Sequence, residues 1–174
     1  MAAMSQSKTL NALNDHVSLE LAAWYDYTAM ALWLDMNDLP GCASFMKSQA
    51  MEEMEHAQKI IQHLMDRDVT PRLPTIEAPQ TEFESVKQVF EMVLAAEQKV
   101  SASIHAVHVL AAAEDDQPAR ILLEWFITEQ VEEESMARAI LGRIRLAGET
   151  GPGLLLVDQE LGTGTVPGMP PHGE

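Results

Sequence analysis

Four glutamates interrupt the apolar faces of otherwise amphipathic segments, and one of them is followed by a histidine. The residues are Glu20, Glu53, His56, Glu97 and Glu133. An ionised carboxylate that is buried alone loses its hydration, which is costly unless the group is paired or takes up a proton. Four of them at matched positions need a common partner. No Lys or Arg lies on the same apolar faces, so cations from solution are a better partner than salt bridges.

The ligand types indicate which cation would bind. Glu53 and His56 are three residues apart, so on a helix they project from one face. A Glu-x-x-His pair alone is a weak motif, but three further glutamates on apolar faces strengthen it. Oxygen ligands with a single imidazole suit iron or manganese, with zinc possible, and do not suit an all-histidine copper site. Because four carboxylates balance two divalent ions, the sequence predicts a dinuclear centre.

Helices must position these residues. Apolar residues recur in steps of three and four over four long segments, the period of an amphipathic helix. The spacing predicts a first helix that ends near residue 36, a second that begins near 40, a third that begins near 82 and includes Phe83, and a fourth that ends near 146. Each glutamate then lies ~20–24 Å from a helix end, so all four share one level within about a turn. Four such helices predict an all-α four-helix bundle.

Two connecting segments extend this plan. Between the second and third helices lies VTPRLPTIEAPQT, with three prolines, which is long enough to cross from one end of the bundle to the other. A slack loop at one end would also fit. After Gly151 and Pro152, a short segment is able to form two or three helical turns. Its four consecutive apolar residues, 154–157, are expected to dock on another surface or another subunit.

Composition sets the remaining limits. The 174 residues are 47% hydrophobic and 5% aromatic, which favours one helical domain over 1–174, with 1–8 and 163–174 expected to be disordered. A net charge of −16 disfavours nucleic acid and anionic membranes as partners and attracts cations. No secretory signal or membrane span is recognisable, so we expect a soluble, cytoplasmic protein. A single cysteine, Cys42, excludes a Cys-only metal site.

The pattern of Glu20, Glu53-x-x-His56, Glu97 and Gln130-x-x-Glu133 resembles the ferroxidase centre of non-haem bacterial ferritins, and the similarity runs from about residue 10 to 162. The resemblance implies a ferritin-like four-helix bundle with a long crossover and a short C-terminal fifth helix. It also implies that Glu20, Glu53 and His56 hold a first iron. Glu53 would bridge to a second iron held by Glu97 and Glu133, with Gln130 lining the pocket.

Further positions match the same family. Tyr27 resembles the tyrosine beside the iron pair, and Trp125 resembles its neighbouring tryptophan. Glu52, Glu129 and Glu132 resemble the carboxylates that form a third iron position with Glu133. The resemblance implies a ferroxidase that oxidises Fe²⁺ with O₂ or H₂O₂. It also implies storage of ferric mineral inside a homo-oligomeric cage of twenty-four chains, without haem.

Several differences in sequence separate this chain from other ferritin-like families. Bacterioferritin carries a second Glu-x-x-His on the fourth helix, where this chain has Gln130 and Glu133, and Met54, at the position of its haem ligand, is better explained by packing. Rubrerythrin needs more cysteines, and miniferritins lack the fifth helix. Tyr27 could instead be only a core residue, without a role at the iron pair. The glutamates near 129–134 could be only an acidic face in contact with solvent, without a third iron position. An acidic scaffold, a metal-buffering protein and a di-iron oxygenase remain competing functions.

Overall fold

The computed structural model describes residues 7–164 and residue 166. In this part of the chain five α-helices form and there are no strands, which confirms the all-α prediction. They are α1 (Lys8–Met36), α2 (Pro40–Asp66), α3 (Val86–Ala113), α4 (Gln117–Ala147) and α5 (Pro152–Gly162). The first four form the bundle and α5 is the predicted short C-terminal helix. None of the described helices is both long enough and apolar enough to cross a membrane.

Side-chain caps fix where three of the helices begin. Ser7 accepts a hydrogen bond from the backbone N–H of Leu10, so α1 begins at Lys8 and the disorder predicted for Ser7 and Lys8 is wrong. Ser85 caps α3 in the same way. Phe83 therefore precedes α3, although the apolar spacing had placed it inside the helix. Asp116 caps α4.

The predicted disorder at the two ends falls mostly outside the described residues, namely on 1–6, 165 and 167–174. Thr163 and Gly164 are described, and they form a turn closed by hydrogen bonds back to Glu160 and Leu161. Val166 is buried against the bundle. The ordered part of the chain therefore extends slightly further than the composition indicated.

The segment between α2 and α3 crosses the full length of the bundle beside α1. Near the start of α1, the Asn14 side chain exchanges two hydrogen bonds of 2.7 and 3.1 Å with the backbone of Arg72. Near the end of α1, the ring of Trp33 meets that of Phe83 edge-on at 5.5 Å. The two contacts confirm the crossover, and α3 consequently starts at the end of the bundle where α1 finishes.

At the end of the bundle where α1 begins, polar contacts connect the α1–α2 hairpin to the α3–α4 hairpin. The Glu114 carboxylate accepts hydrogen bonds from the Ser7 hydroxyl at 2.6 Å and from the backbone N–H groups of Lys8 and Thr9 at 3.0 Å. Arg67, just after α2, makes a bidentate ion pair with Asp116, just before α4, at 3.0 and 3.2 Å. The starts of α1 and α4 thus lie beside the ends of α2 and α3.

Two apolar clusters fill the bundle on either side of a polar layer. One cluster includes Leu13, Ile60 and Ile104, and the other includes Leu34, Met46 and Ile140. On each of the four long helices, the residues between the clusters are the polar ones. These are Glu20, Glu53, His56, Glu97, Gln130 and Glu133, all buried. The four glutamates therefore share one level at mid-bundle, as the helix bounds predict.

Helix α5 packs on α2 and α4 at the end of the bundle. The Asp158 side chain accepts the backbone N–H of Cys42 in the first turn of α2 at 2.7 Å. Val157 and Leu161 are each 2% exposed and belong to this subunit's own core, whereas Leu155 and Leu156 are 54% and 58% exposed. The expectation that residues 154–157 dock elsewhere is therefore wrong for Val157, because α5 is amphipathic rather than uniformly outward-facing.

Candidate metal centre

Glu20 of α1 and the Glu53–His56 pair of α2 form the tightest group of metal-binding side chains. One ligand atom from each lies within 4.8 Å of the other two. The His56 Nδ1 atom is 3.6 Å from Glu53 Oε2 and 4.0 Å from Glu20 Oε2. These distances are too long for hydrogen bonds. All three atoms are buried and have no hydrogen-bond partner among the described residues. Their arrangement suits a common cation.

Burial and mutual repulsion keep protons on this group. Burial raises the pKa of Glu20 to about 7, and raises that of Glu53 to about 8 against the opposing contact with His56. For His56, burial disfavours the charged ring, but the contact with Glu53 and the charges of both glutamates outweigh it and raise its pKa to about 9. A cation entering the group therefore displaces protons.

Glu97 of α3 is held differently, because both of its carboxylate oxygens already accept hydrogen bonds. The Tyr27 hydroxyl donates to Oε1, and the Gln130 amide donates to Oε2 at 2.9 Å. Burial, with the charge of Glu53, raises the pKa of Glu97 to about 7. Tyr27 is fully buried, and burial together with the nearby carboxylates raises its pKa well above 10, so it stays protonated. A metal that binds Glu97 would share an oxygen with one of these two donors, because each carboxylate oxygen has a second lone pair.

Glu133 of α4 completes the buried layer. Its Oε2 atom has no hydrogen-bond partner among the described residues. Burial, followed by the charges of Glu97, Glu52 and Glu53, raises its pKa to about 10. Of the four buried glutamates, Glu133 therefore keeps its proton to the highest pH in the metal-free protein, and a neighbouring cation would favour its ionised form.

A second, less buried group lies beside the first. Glu52, His56 and Glu129 offer ligand atoms within 4.8 Å of one another. Glu52 also accepts a hydrogen bond of 2.8 Å from Gln49. Glu132 lies exposed on α4 and belongs to neither group. Of the residues predicted for a third iron position, the structure thus brings Glu52 and Glu129 together at His56 and leaves Glu132 outside.

Aromatic rings enclose the imidazole of His56. The rings of Trp125 and Phe126 approach it edge-on at 5.5 and 5.6 Å. Trp125 is 36% exposed, and the Lys59 ammonium lies 4.1 Å above its ring. The position predicted from the sequence for Trp125, next to the site, is the one observed.

Comparison with known proteins shows which family shares this arrangement. Residues 10–147 match the family model described as a ferritin-like domain. The chain is 32% identical over 160 residues to the bacterial non-heme ferritin of Escherichia coli, covering 92% of this chain and 97% of that one. The chain belongs to the ferritin family.

Other relatives of this ferritin agree. A bacterial non-heme ferritin of Staphylococcus aureus is 34% identical over 162 residues, covering 93% of this chain and 98% of its own. Among solved structures, an open pore ferritin from the archaeon Archaeoglobus fulgidus superposes with a TM-score of 0.87 at 34% identity, over 91% of this chain and 98% of that one. The resemblance drawn from the site residues is confirmed at the level of the family.

One buried residue at the site of this ferritin was missed by the sequence analysis. His16 is 1% exposed, and its Nε2 atom lies 2.7 Å from Glu20 Oε1. Its Nδ1 atom lies 2.7 Å from the Ser103 hydroxyl. Burial lowers the pKa of His16 to about 4. The available signal was the spacing, because a residue four positions before Glu20 lies on the same face of α1.

The paired histidines of α3 lie away from the buried layer. His105 is exposed and His108 is half-buried, and neither is grouped with Glu97 on the same helix. This placement favours surface or packing roles for His105 and His108 over a second metal site.

Proposed function

We propose that this ferritin oxidises Fe²⁺ with O₂ at a di-iron centre and stores the ferric product inside a cage of identical subunits. Four buried ligand atoms without hydrogen-bond partners among the described residues carry the proposal. They are Glu20 Oε2, Glu53 Oε2, His56 Nδ1 and Glu133 Oε2. Membership in the ferritin family supports the same conclusion.

Each residue of the buried layer receives a role. Glu20, Glu53 and His56 bind the first Fe²⁺, because their ligand atoms already face one another. Glu53 bridges to a second Fe²⁺ held by Glu97 and Glu133. Since both oxygens of Glu97 are hydrogen-bonded before iron arrives, we expect the second position to fill after the first.

Charge and proton balance support the chemistry. The four carboxylates match the charge of two Fe²⁺ ions, and their raised pKa values mean that iron entry releases protons. Two Fe²⁺ ions together give two electrons to O₂, which takes up two protons and leaves as H₂O₂; when H₂O₂ is the oxidant, the same two electrons and two protons reduce it to two water molecules. Oxide or hydroxide bridges balance the extra charge of Fe³⁺, and hydrolysis delivers the product to the mineral. The protein supplies geometry and excludes other reactants.

Tyr27 and Gln130 are assigned to the second position through Glu97. Tyr27 remains a hydrogen-bond donor at neutral pH because its pKa is raised. Its hydroxyl keeps Glu97 oriented, and the Gln130 amide is the contact we expect to yield when the second iron binds. Tyr27 is thus both a buried core residue and, in this proposal, the residue that orients Glu97 for the second iron.

A third iron position is proposed at the less buried group. Glu52 and Glu129 lie beside His56, and the charges of both raise the pKa of Glu133. We assign Glu52 and Glu129 to this position together with Glu133. Glu132 is the fourth carboxylate of the proposed position, and it would have to turn inward from its exposed place on α4 to contribute. Iron bound at this third position would lie next to the di-iron centre.

We further propose a twenty-four-chain assembly without haem, working in the cytoplasm. Large apolar side chains on the outside of the subunit support assembly, among them Leu32 at 59% and Met36 at 84% exposure on α1. The similarity to a solved structure described as an open pore ferritin supports a shell.

Size-exclusion chromatography combined with iron loading tests the proposal. A large assembly that oxidises added Fe²⁺ only when O₂ is present, and retains the iron as it elutes, is the expected result. Retention of unoxidised Fe²⁺ would favour a metal-buffering protein. Oxidation without retained iron would favour an oxygenase.

A further inference from the structure

His16 is immobilised between α1 and α3 by contacts on three sides. Its two ring nitrogens meet Glu20 Oε1 and Ser103 Oγ, each at 2.7 Å. The ring of Phe126 packs edge-on against the imidazole at 6.4 Å. A ring held in this way does not change rotamer without breaking both hydrogen bonds.

The two polar partners of His16 select one tautomer. An ionised carboxylate only accepts hydrogen bonds, so Nε2 of His16 must donate to Glu20 whenever Glu20 is ionised. In a neutral ring Nδ1 then accepts, and the hydroxyl of Ser103 is able to donate to it. The ionised carboxylate of Glu20 thus selects the tautomer that donates to it, and the hydroxyl of Ser103 satisfies the other ring nitrogen.

This contact distinguishes the two oxygens of Glu20. Oε1 is occupied by His16, whereas Oε2 has no hydrogen-bond partner among the described residues and lies 4.0 Å from His56 Nδ1. The oxygen directed at His56 is therefore the one available to a metal. Without His16, the carboxylate could rotate or offer both oxygens.

We propose that His16 is a positioning residue of the metal centre, whose hydrogen bond to Oε1 presents Oε2 of Glu20 to the first iron and keeps Glu20 a one-oxygen ligand. This inference rests on the proposed function, because it takes Glu20 as an iron ligand. It assigns to His16 the role at Glu20 that Tyr27 has at Glu97. Removing a hydrogen-bond partner that orients a metal ligand in this way typically weakens metal binding about 10- to 100-fold.

Co²⁺ provides a test that does not depend on turnover, since its visible spectrum reports coordination. The metal-free wild type, His16→Leu and His16→Gln are titrated with Co²⁺, and their melting temperatures are measured before metal is added. His108→Leu is the matched control, because it makes the same change at a half-buried histidine of α3 away from the site. If His16→Leu does not fold, His16→Met takes its place as the apolar variant.

We expect His16→Leu to bind the first Co²⁺ about 10- to 100-fold more weakly, with an altered visible band. His16→Gln should restore both, since its amide N–H is able to donate to Glu20 and its oxygen to accept from Ser103. The control should match the wild type. Co²⁺ affinity and spectrum unchanged in a folded His16→Leu protein would overturn the inference, as would His16→Gln behaving like His16→Leu. Failure of the wild type to bind Co²⁺ would instead overturn the proposed function.

Discussion

At the scale of single residues, the metal-free centre is governed by protons. Burial raises the pKa values of Glu53 and Glu133 to about 8 and 10, against an ordinary value of 4.5. Burial opposes the charged form of His56, but the neighbouring glutamates outweigh it and raise the pKa of His56 to about 9, against 6.5. Between the ordinary and the raised value, the folded protein binds more protons than the unfolded chain. Its stability therefore falls as the pH rises through that interval. His16 has a lowered pKa and acts in the opposite sense, but only between about 4 and 6.5.

These shifts predict that the metal-free protein loses stability from pH 7 to pH 9. Each group protonated only in the folded state contributes about 1.4 kcal/mol per pH unit. The melting temperature of metal-free protein at pH 7, 8 and 9 measures the effect. Glu133→Gln should show a shallower dependence, because it removes the group with the highest of these pKa values. A melting temperature that is constant or rises over this interval would contradict the assigned protonation.

A second residue-scale prediction concerns Glu97, whose charge we propose to serve the metal and not the fold. Glu97→Gln keeps an oxygen for the Tyr27 hydroxyl and removes a buried charge, and its NH₂ group is able to donate to the Gln130 side-chain oxygen once the Gln130 amide turns over. The metal-free protein should therefore be as stable as the wild type, or more stable by about 1 kcal/mol. O₂-dependent oxidation of Fe²⁺ should be lost, since the second iron loses an anionic ligand.

The control for this variant is Glu91→Gln, an exposed position on the same helix. It should oxidise Fe²⁺ at the wild-type rate. A destabilised Glu97→Gln protein that still oxidises iron rapidly would show that Glu97 is structural.

At the scale of the elements, α5 completes the start of α2. Leu39 provides no side-chain cap for α2, and Asp158 of α5 accepts the N–H of Cys42 in its place. The negative charge also suits a helix N-terminus. The approach is close enough that a Cβ on Gly41 would lie 1.8 Å from the backbone oxygen of Asp158. Glycine is therefore required at the point where the two helices meet.

This contact predicts opposite results for two glycine replacements. Gly41→Ala should lower the melting temperature and make α5 more accessible to proteases, because the helix must move away. Gly142→Ala is the matched control, since a Cβ there meets nothing within 4 Å. Alanine in the interior of a helix is favoured over glycine, by about 1 kcal/mol. Equal melting temperatures for the two variants would show that α5 does not depend on this approach.

The sequence predicted the helices and the level of the glutamates because the apolar period fixes which face of each helix is buried. It did not predict where α3 begins, since the Ser85 cap is a local feature that the apolar spacing does not contain. The hydrogen bonds from Tyr27 and Gln130 to Glu97 connect α1, α3 and α4. Because the three residues lie on different helices, their spacing along the chain does not predict these contacts. His16 was overlooked although its spacing from Glu20 was visible, because its second partner, Ser103, lies on another helix.

At the scale of the whole molecule, α5 also presents an apolar edge. Leu155 and Leu156 are more than half exposed next to core residues of the same helix. If they contact another subunit, Leu156→Glu should give smaller assemblies by light scattering while the subunit melts as before. Gln159→Glu adds the same charge at another exposed position of α5 and should leave the assembly intact. An intact assembly in Leu156→Glu would exclude this residue from the interface.

The most direct test of the di-iron centre is the initial rate of aerobic Fe²⁺ oxidation as a function of the number of Fe²⁺ ions added per subunit. The account predicts a fast, O₂-dependent phase that saturates at two ions per subunit and is absent from a folded His56→Ala protein, because the first iron has lost its imidazole. A fast phase without a break at two ions per subunit, or one that persists in His56→Ala, would contradict it.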